Sequence, residues 1–150
     1  MTIVDYQPAY RADFERLNRA WITRFFEMEP EDYAVLSDPE VYILEKGGQI
    51  FFAEHEGTII GTVALLPVGD GEFKLLKMAV DDRFQGMGVG KQLCAAALDE
   101  VRRRGGTRVV LFTNSTLAAA LHVYRHFGFR EVPAVGSVYK RADTKMEVIL

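Results

Sequence analysis

Gln85 to Lys91 read QGMGVGK, and this stretch holds the most informative chemistry of the chain. Glycines at 86, 88 and 90 let a ligand approach the backbone closely. A helix that starts among them turns its first unpaired N–H groups, and the positive end of its dipole, toward whatever lies in front, which suits a phosphate or pyrophosphate. Lys91 can add a charge. A Walker loop would need Gly where Gln85 stands and Ser or Thr where Gln92 stands, so that motif fails twice. A dinucleotide fingerprint opened at Gly86 would need its third glycine at Lys91, and it would follow the first strand of a domain instead of a meander. A tight strand-to-helix turn also explains the glycines with no ligand at all. Among other reactive side chains, Tyr124 shares an apolar helical face with Leu117, Ala120 and Leu121, where packing alone accounts for a tyrosine. Cys94 falls on the core side of its helix beside Ala97 and Leu98, as a structural thiol. His55 and His122 receive no catalytic role, and no His, Cys and Asp cluster has metal-ligand spacing, so no metal is expected.

The elements that must position these groups follow from periodicity. After an extended start at Thr2 to Tyr6, the segment Pro8 to Phe26 places Phe14, Leu17, Trp21 and Phe25 three or four apart, the stripe of an amphipathic helix. Glu27 to Glu40 is acidic with two prolines and reads as a loop or a broken short helix, with a further helical turn at Val41 to Lys46. Gln49 to His55 and Thr58 to Leu66 are β-branched and aromatic runs around Glu56-Gly57, an antiparallel hairpin. Glu72 to Val80 is the next strand, after Val68-Gly69-Asp70-Gly71. Val89, Leu93, Ala97 and Val101 then recur every four residues in a helix that stops at Gly105-Gly106. Thr107 to Thr113 is a buried strand, Thr116 to Phe127 a helix ended by Gly128, and Met146 to Leu150 a closing strand. The strand, helix, strand order from Glu72 to Thr113 requires a crossover, which makes those two strands parallel neighbours in a mixed sheet.

Length and charge narrow the function classes. The 150 residues, 49% hydrophobic and 26% charged, suit one domain over 1–150 and exclude disordered or low-complexity architectures. Eighteen basic against 21 acidic residues give a net charge of -3, without the footprint of a nucleic-acid binder. One cysteine and the lack of a leader or long apolar run give cytoplasm as the expected location, with no membrane partner.

Gln85, Gly88 and Gly90 satisfy the pattern Gln/Arg-x-x-Gly-x-Gly/Ala, between a strand ending MAV and an amphipathic helix. Ala120, Tyr124, Gly128 and Phe129 satisfy a second signature in the stretch LAAALHVYRHFGF. Together, in this order and context, they resemble the GNAT superfamily of acyl-CoA-dependent N-acyltransferases. The resemblance implies an α/β, mixed α+β fold with a splayed mixed antiparallel/parallel sheet of about six to seven strands and about four helices. It implies that the strands ending at Val80 and Thr113 diverge to admit the pantetheine arm of acetyl-CoA beside Met78, Ala79 and Val80. The pyrophosphate would rest on Gln85, Gly86, Met87, Gly88, Val89, Gly90 and Lys91, and Asn114 could bond the arm or, equally well, cap the helix that follows. The family's tyrosine commonly donates a proton to the leaving thiolate, which implies that role for Tyr124.

Two positions depart from the family pattern. Many relatives carry a glutamate where Lys74 stands, so Glu72, on the same strand face, becomes the candidate carboxylate for ordering a water, although a solvated strand-start residue explains it too. Many carry Asn where Leu117 stands, which takes away a polar cofactor contact. The acceptor site is expected from the first helix and the loop after it, with Trp21, Phe25, Phe26, Glu27 and Tyr33, joined by Glu29, Glu31 and Asp32. Aromatics beside carboxylates would suit an amine with an apolar body; a solvated acidic loop explains the same residues. The expected activity is acetyl transfer from acetyl-CoA to a small-molecule or peptide primary amine by direct attack in a ternary complex, and a homodimer is compatible with it. A degenerate domain that senses acyl-CoA without transfer, and a nucleotide-binding enzyme using the glycine loop, are the competing expectations.

Overall fold

The computed structural model describes residues 1–137 and 139–150. Strand β1 (Thr2–Asp5) leads through a 3-10 turn (Pro8–Tyr10) into helix α1 (Arg11–Phe25), α2 (Pro30–Ser37) and a π-helical turn (Glu40–Leu44). The meander β2 (Gln49–His55), β3 (Thr58–Gly69) and β4 (Glu72–Val80) follows. Then come a 3-10 turn (Asp82–Phe84), α3 (Val89–Arg103), β5 (Arg108–Thr113), α4 (Ala118–His126), β6 (Arg130–Val132) and β7 (Thr144–Ile149). The sheet order is β1-β2-β3-β4-β5-β7-β6, and only β4 and β5 pair in parallel. Between β2 and β3, Glu56 and Gly57 both take positive φ, 51° and 79°, the tight turn whose twist matches a hairpin.

Helices cover both faces of the sheet. Leu93, Cys94, Ala97, Leu98 and Val101 of α3 pack with Leu65, Leu75 and Leu111 on one face, where Leu121 and Tyr124 of α4 join them. Phe14, Leu17 and Ile22 of α1 and Val35 and Leu36 of α2 pack with Ile50, Phe52 and Ala64 on the other. The expected α1 stripe is corrected at its C-terminal end. Ile22 is the buried residue there, whereas Trp21 is half-buried and Phe25 is 55% exposed, because this end of α1 leaves the core and faces a cleft. The acidic stretch after it contains the short helix α2, with the further helical turn at Glu40–Leu44. Pro30 occupies the first turn, where its missing N–H costs nothing, and Glu29 and Asp32 form a reciprocal capping box.

Two irregularities in the sheet shape the cleft. The parallel pairing of β4 with β5 ends at Lys74↔Val110. Beyond it β4 runs on to Val80 paired with β3, while β5 runs on to Thr113 paired with β7, so the two strands part. The β3/β4 register also slips between Ala64↔Leu76 and Thr62↔Ala79, which inserts one extra residue into β4. Lys77 sits in that bulge with φ 56°. Leu76 and Ala79 consequently pack on the α1/α2 face and Met78 and Val80 on the α3 face, while the Lys77 side chain reaches α2.

Candidate active site

A cavity of about 730 Å³ fills the split between β4 and β5. At one end lies the glycine loop. Gly86 and Gly88 have φ of 79° and 78°, so L side chains are strained there, and a Cβ at either would point into open space. Gly88 is the residue before α3 and offers no side-chain cap, and the first helical bond of that turn runs from Gln92 N–H to Gly88 O. The N–H groups of Val89, Gly90 and Lys91 thus lack helical acceptors and are available to an anion. Along the middle, the edge of β4 that faces β5 has no strand partner past Lys74. All the residues expected to hold the cofactor lie on the cavity wall except Met87, which is 58% exposed and turned away. Asn114 is on the wall, but its carboxamide is already engaged: Nδ2 donates to Arg141 O at 2.7 Å, and Oδ1 accepts from Thr116 N and Oγ1. It ties β5 to the loop before β7, and α4 begins without a side-chain cap.

Tyr124 lies on the wall from α4, buried and packed edge-on against Phe129 with centroids 5.8 Å apart. Burial, with a smaller contribution from Cys94, pushes its pKa well above the usual phenol range. Its hydroxyl makes no hydrogen bond among the described residues. Glu40 Oε2 is the one sealed and unpartnered side-chain polar atom among them, so the Tyr124 oxygen opens onto the cavity. Cys94 behind it is fully buried, and burial pushes its thiol up to about 12.

The opposite end is built differently from the expectation. Trp21, Phe25 and Phe26 line it, but Glu27 and Tyr33 do not; Tyr33 is half-exposed, with the Arg19 guanidinium 5.5 Å from its ring centroid. Glu72 is also off the wall, at the outer end of β4 next to Gly69, so the structure offers no cleft carboxylate at that position. In their place stand Lys74, Lys77, Tyr139 and Arg141. Lys77 Nζ and Asp32 Oδ1 are 2.6 Å apart, and Arg141 forks onto the two Asp32 oxygens at 2.6 and 2.7 Å. Burial works to raise the Asp32 pKa, but the hydrogen bonds from Arg141 and Lys77 outweigh it and hold it at about 2. The Tyr139 ring has Lys77 and Arg141 each 4.4 Å from its centroid. Sequence reasoning missed Lys77, Tyr139 and Arg141. The one available signal was Lys77 itself: strict strand alternation from Phe73 and Leu75 would bury it in the α3 core, a conflict that a bulge resolves.

The fold is that of known acyl-transfer enzymes. An acetyltransferase of the GNAT family from Staphylococcus aureus superposes with a TM-score of 0.89 at 20% identity, covering 99% of this chain and 98% of that one. A GNAT superfamily phosphinothricin acetyltransferase from Sinorhizobium meliloti, solved in complex with acetyl-CoA, gives 0.80 at 15% identity over 99% and 88% of the chains. Residues 10–129 match the acetyltransferase (GNAT) family, and the chain belongs to that family. Human N-acetyltransferase 8B is 33% identical over 95 residues, 60% of this chain and 42% of that protein. The chain spans less than half the length of the curated relatives it matches first. Among the described residues no His, Cys, Asp and Glu group could hold a metal, and no helix is long and apolar enough to cross a membrane.

Proposed function

We propose that the chain transfers an acetyl group from acetyl-CoA to a primary amine by direct attack in a ternary complex, with Tyr124 as general acid. Acetyl-CoA supplies an activated acyl carbon and a sulfur leaving group. The glycine loop and the uncapped start of α3 hold its pyrophosphate. The open edge of β4 at Met78 to Val80 pairs with the amide-bearing arm in the manner of an added strand. As the nitrogen–carbon bond forms and the carbon–sulfur bond breaks, the amine proton leaves to solvent, Tyr124 gives its own proton to sulfur, and the phenolate then takes a proton back from solvent. The burial that raises the Tyr124 pKa also disfavours a bare thiolate in the same cleft, so donor and acceptor move up together. Cys94 stays a protonated thiol and takes no acyl group.

The observation that carries this reading is Tyr124, a buried side chain on the cavity wall whose hydroxyl opens onto the cavity with no hydrogen-bond partner among the described residues. Tyr124→Phe keeps the ring against Phe129 and removes only the proton. It should lower kcat by about a hundredfold to ten-thousandfold and leave acetyl-CoA affinity within a few-fold. An unchanged kcat, with chemistry rate-limiting, would remove Tyr124 from the mechanism. Lost acetyl-CoA binding with kcat intact would make the hydroxyl a cofactor contact.

A further inference from the structure

The acceptor end of the cavity is cationic, and its charges are unevenly satisfied. Arg24 is held by Asp82 at 2.6 Å, the one carboxylate on the cavity wall among the described residues. Lys77 and Arg141 are held by Asp32, and Arg141 also reaches Glu29 at 3.3 Å. Lys91 lies at the other, phosphate end. Lys74 alone in the acceptor half has no ion-pair or hydrogen-bond partner among the described residues. It is half-buried at the point where β4 and β5 part, with Nζ 5.2 Å from the Phe112 ring centroid. Lys145 approaches the same ring at 5.5 Å. Burial pulls the Lys74 pKa down, and only the exposed Glu31 opposes it. The Phe112 ring attracts the ammonium but takes none of its hydrogen bonds, so a half-buried ammonium with a second lysine at the same ring still has its donors free for an incoming anion.

From this we infer, on the basis of the transfer reading above, that the acceptor is a free α-amino acid and that Lys74 binds its carboxylate. Anchored there at the fork of the two strands, the acceptor would have its amine directed along the cleft toward the thioester and its side chain against Trp21, Phe25 and Phe26. Lys74 is on this account a specificity residue standing where a carboxylate would repel such an acceptor.

The test is thiol release from acetyl-CoA by the whole chain, with a panel of L-amino acids set against their amides and their decarboxylated amines. The free amino acid should exceed its own amide and amine in kcat/KM by about tenfold to a hundredfold, the scale of one charge-assisted hydrogen bond. Lys74→Met should bring that ratio close to one through a rise in the KM of the amino acid, and Lys74→Arg should restore most of it. Acetyl-CoA titration of each variant checks that the cleft is intact. Amides or amines turned over as well as the acids would overturn the inference and leave the transfer reading standing. A ratio unchanged in Lys74→Met would also overturn it. Acetyl-CoA bound but transferred to no amine of any kind would overturn the transfer reading and this inference with it.

Discussion

The Asp32 carboxylate accepts from Lys77, from both terminal nitrogens of Arg141 and from the Glu29 backbone N–H, with no exposed surface of its own. These bonds tie α2, the β4 bulge and the segment before β7 together beside the cleft. Asp32→Ala leaves two cations without their counter-ion and should cost about 3–5 kcal/mol in urea unfolding. The pH dependence has a definite sign. The folded-state pKa of Asp32, about 2, lies below the ordinary 3.8, so between these values the unfolded chain binds more protons. The contribution is therefore full above about pH 4 and lost as pH falls through 2, by about 2 kcal/mol, and Asp32→Asn should remove that acid-limb slope. Cys94→Ala, by contrast, should retain transfer with intersecting initial-velocity lines; parallel lines abolished by the substitution would mean an acyl-cysteine. Tyr124 and the glycines were legible because their motifs are local. The Asp32 cluster was not, since its members stand 45 and 109 positions apart and nothing in the acidic run announces a buried carboxylate.

The loop between β4 and α3 is dictated by backbone conformation, and that is why the sequence marks it so clearly. Two residues with φ near 80° and an uncapped helix start are local demands that glycines meet. Gly88→Val forces a β-branched residue into the left-handed region at the turn before α3. It should weaken acetyl-CoA affinity by at least tenfold, read by calorimetry, and remove most of the thermal stabilisation that acetyl-CoA gives the parent chain. That stabilisation should reach about 2.7 kcal/mol at a hundredfold excess over Kd, and equal stabilisation by ATP would contradict the cofactor reading. Other elements were less legible for identifiable reasons. The prolines of the acidic stretch left a loop or a broken short helix open, and the structure has the short helix, begun at Pro30 and ended before Pro39, with the further helical turn after it. Strand β6 has three residues, too few for any periodicity, and is defined by its pairing with β7.

Across the whole molecule, two apolar cores on opposite faces clamp a sheet that is continuous at its edges and open at its centre. The parallel pairing of β4 and β5 followed from the crossover, whereas the point at which they separate depends on their partners β3 and β7 and on a bulge that alternation conceals. The cleft is thus a property of the assembled sheet, with α3 and its glycine loop at one end, Tyr124 of α4 on its wall, and α1, β4 and the segment before β7 at the other end. Whether this cleft transfers the acetyl group of acetyl-CoA to an amine is measured by following CoA thiol and acetylated product together as amine concentration is raised. Thiol and N-acetyl product should appear in equal amounts, at a rate that saturates in both substrates. Acetyl-CoA bound with thiol release that no amine accelerates would contradict that transfer.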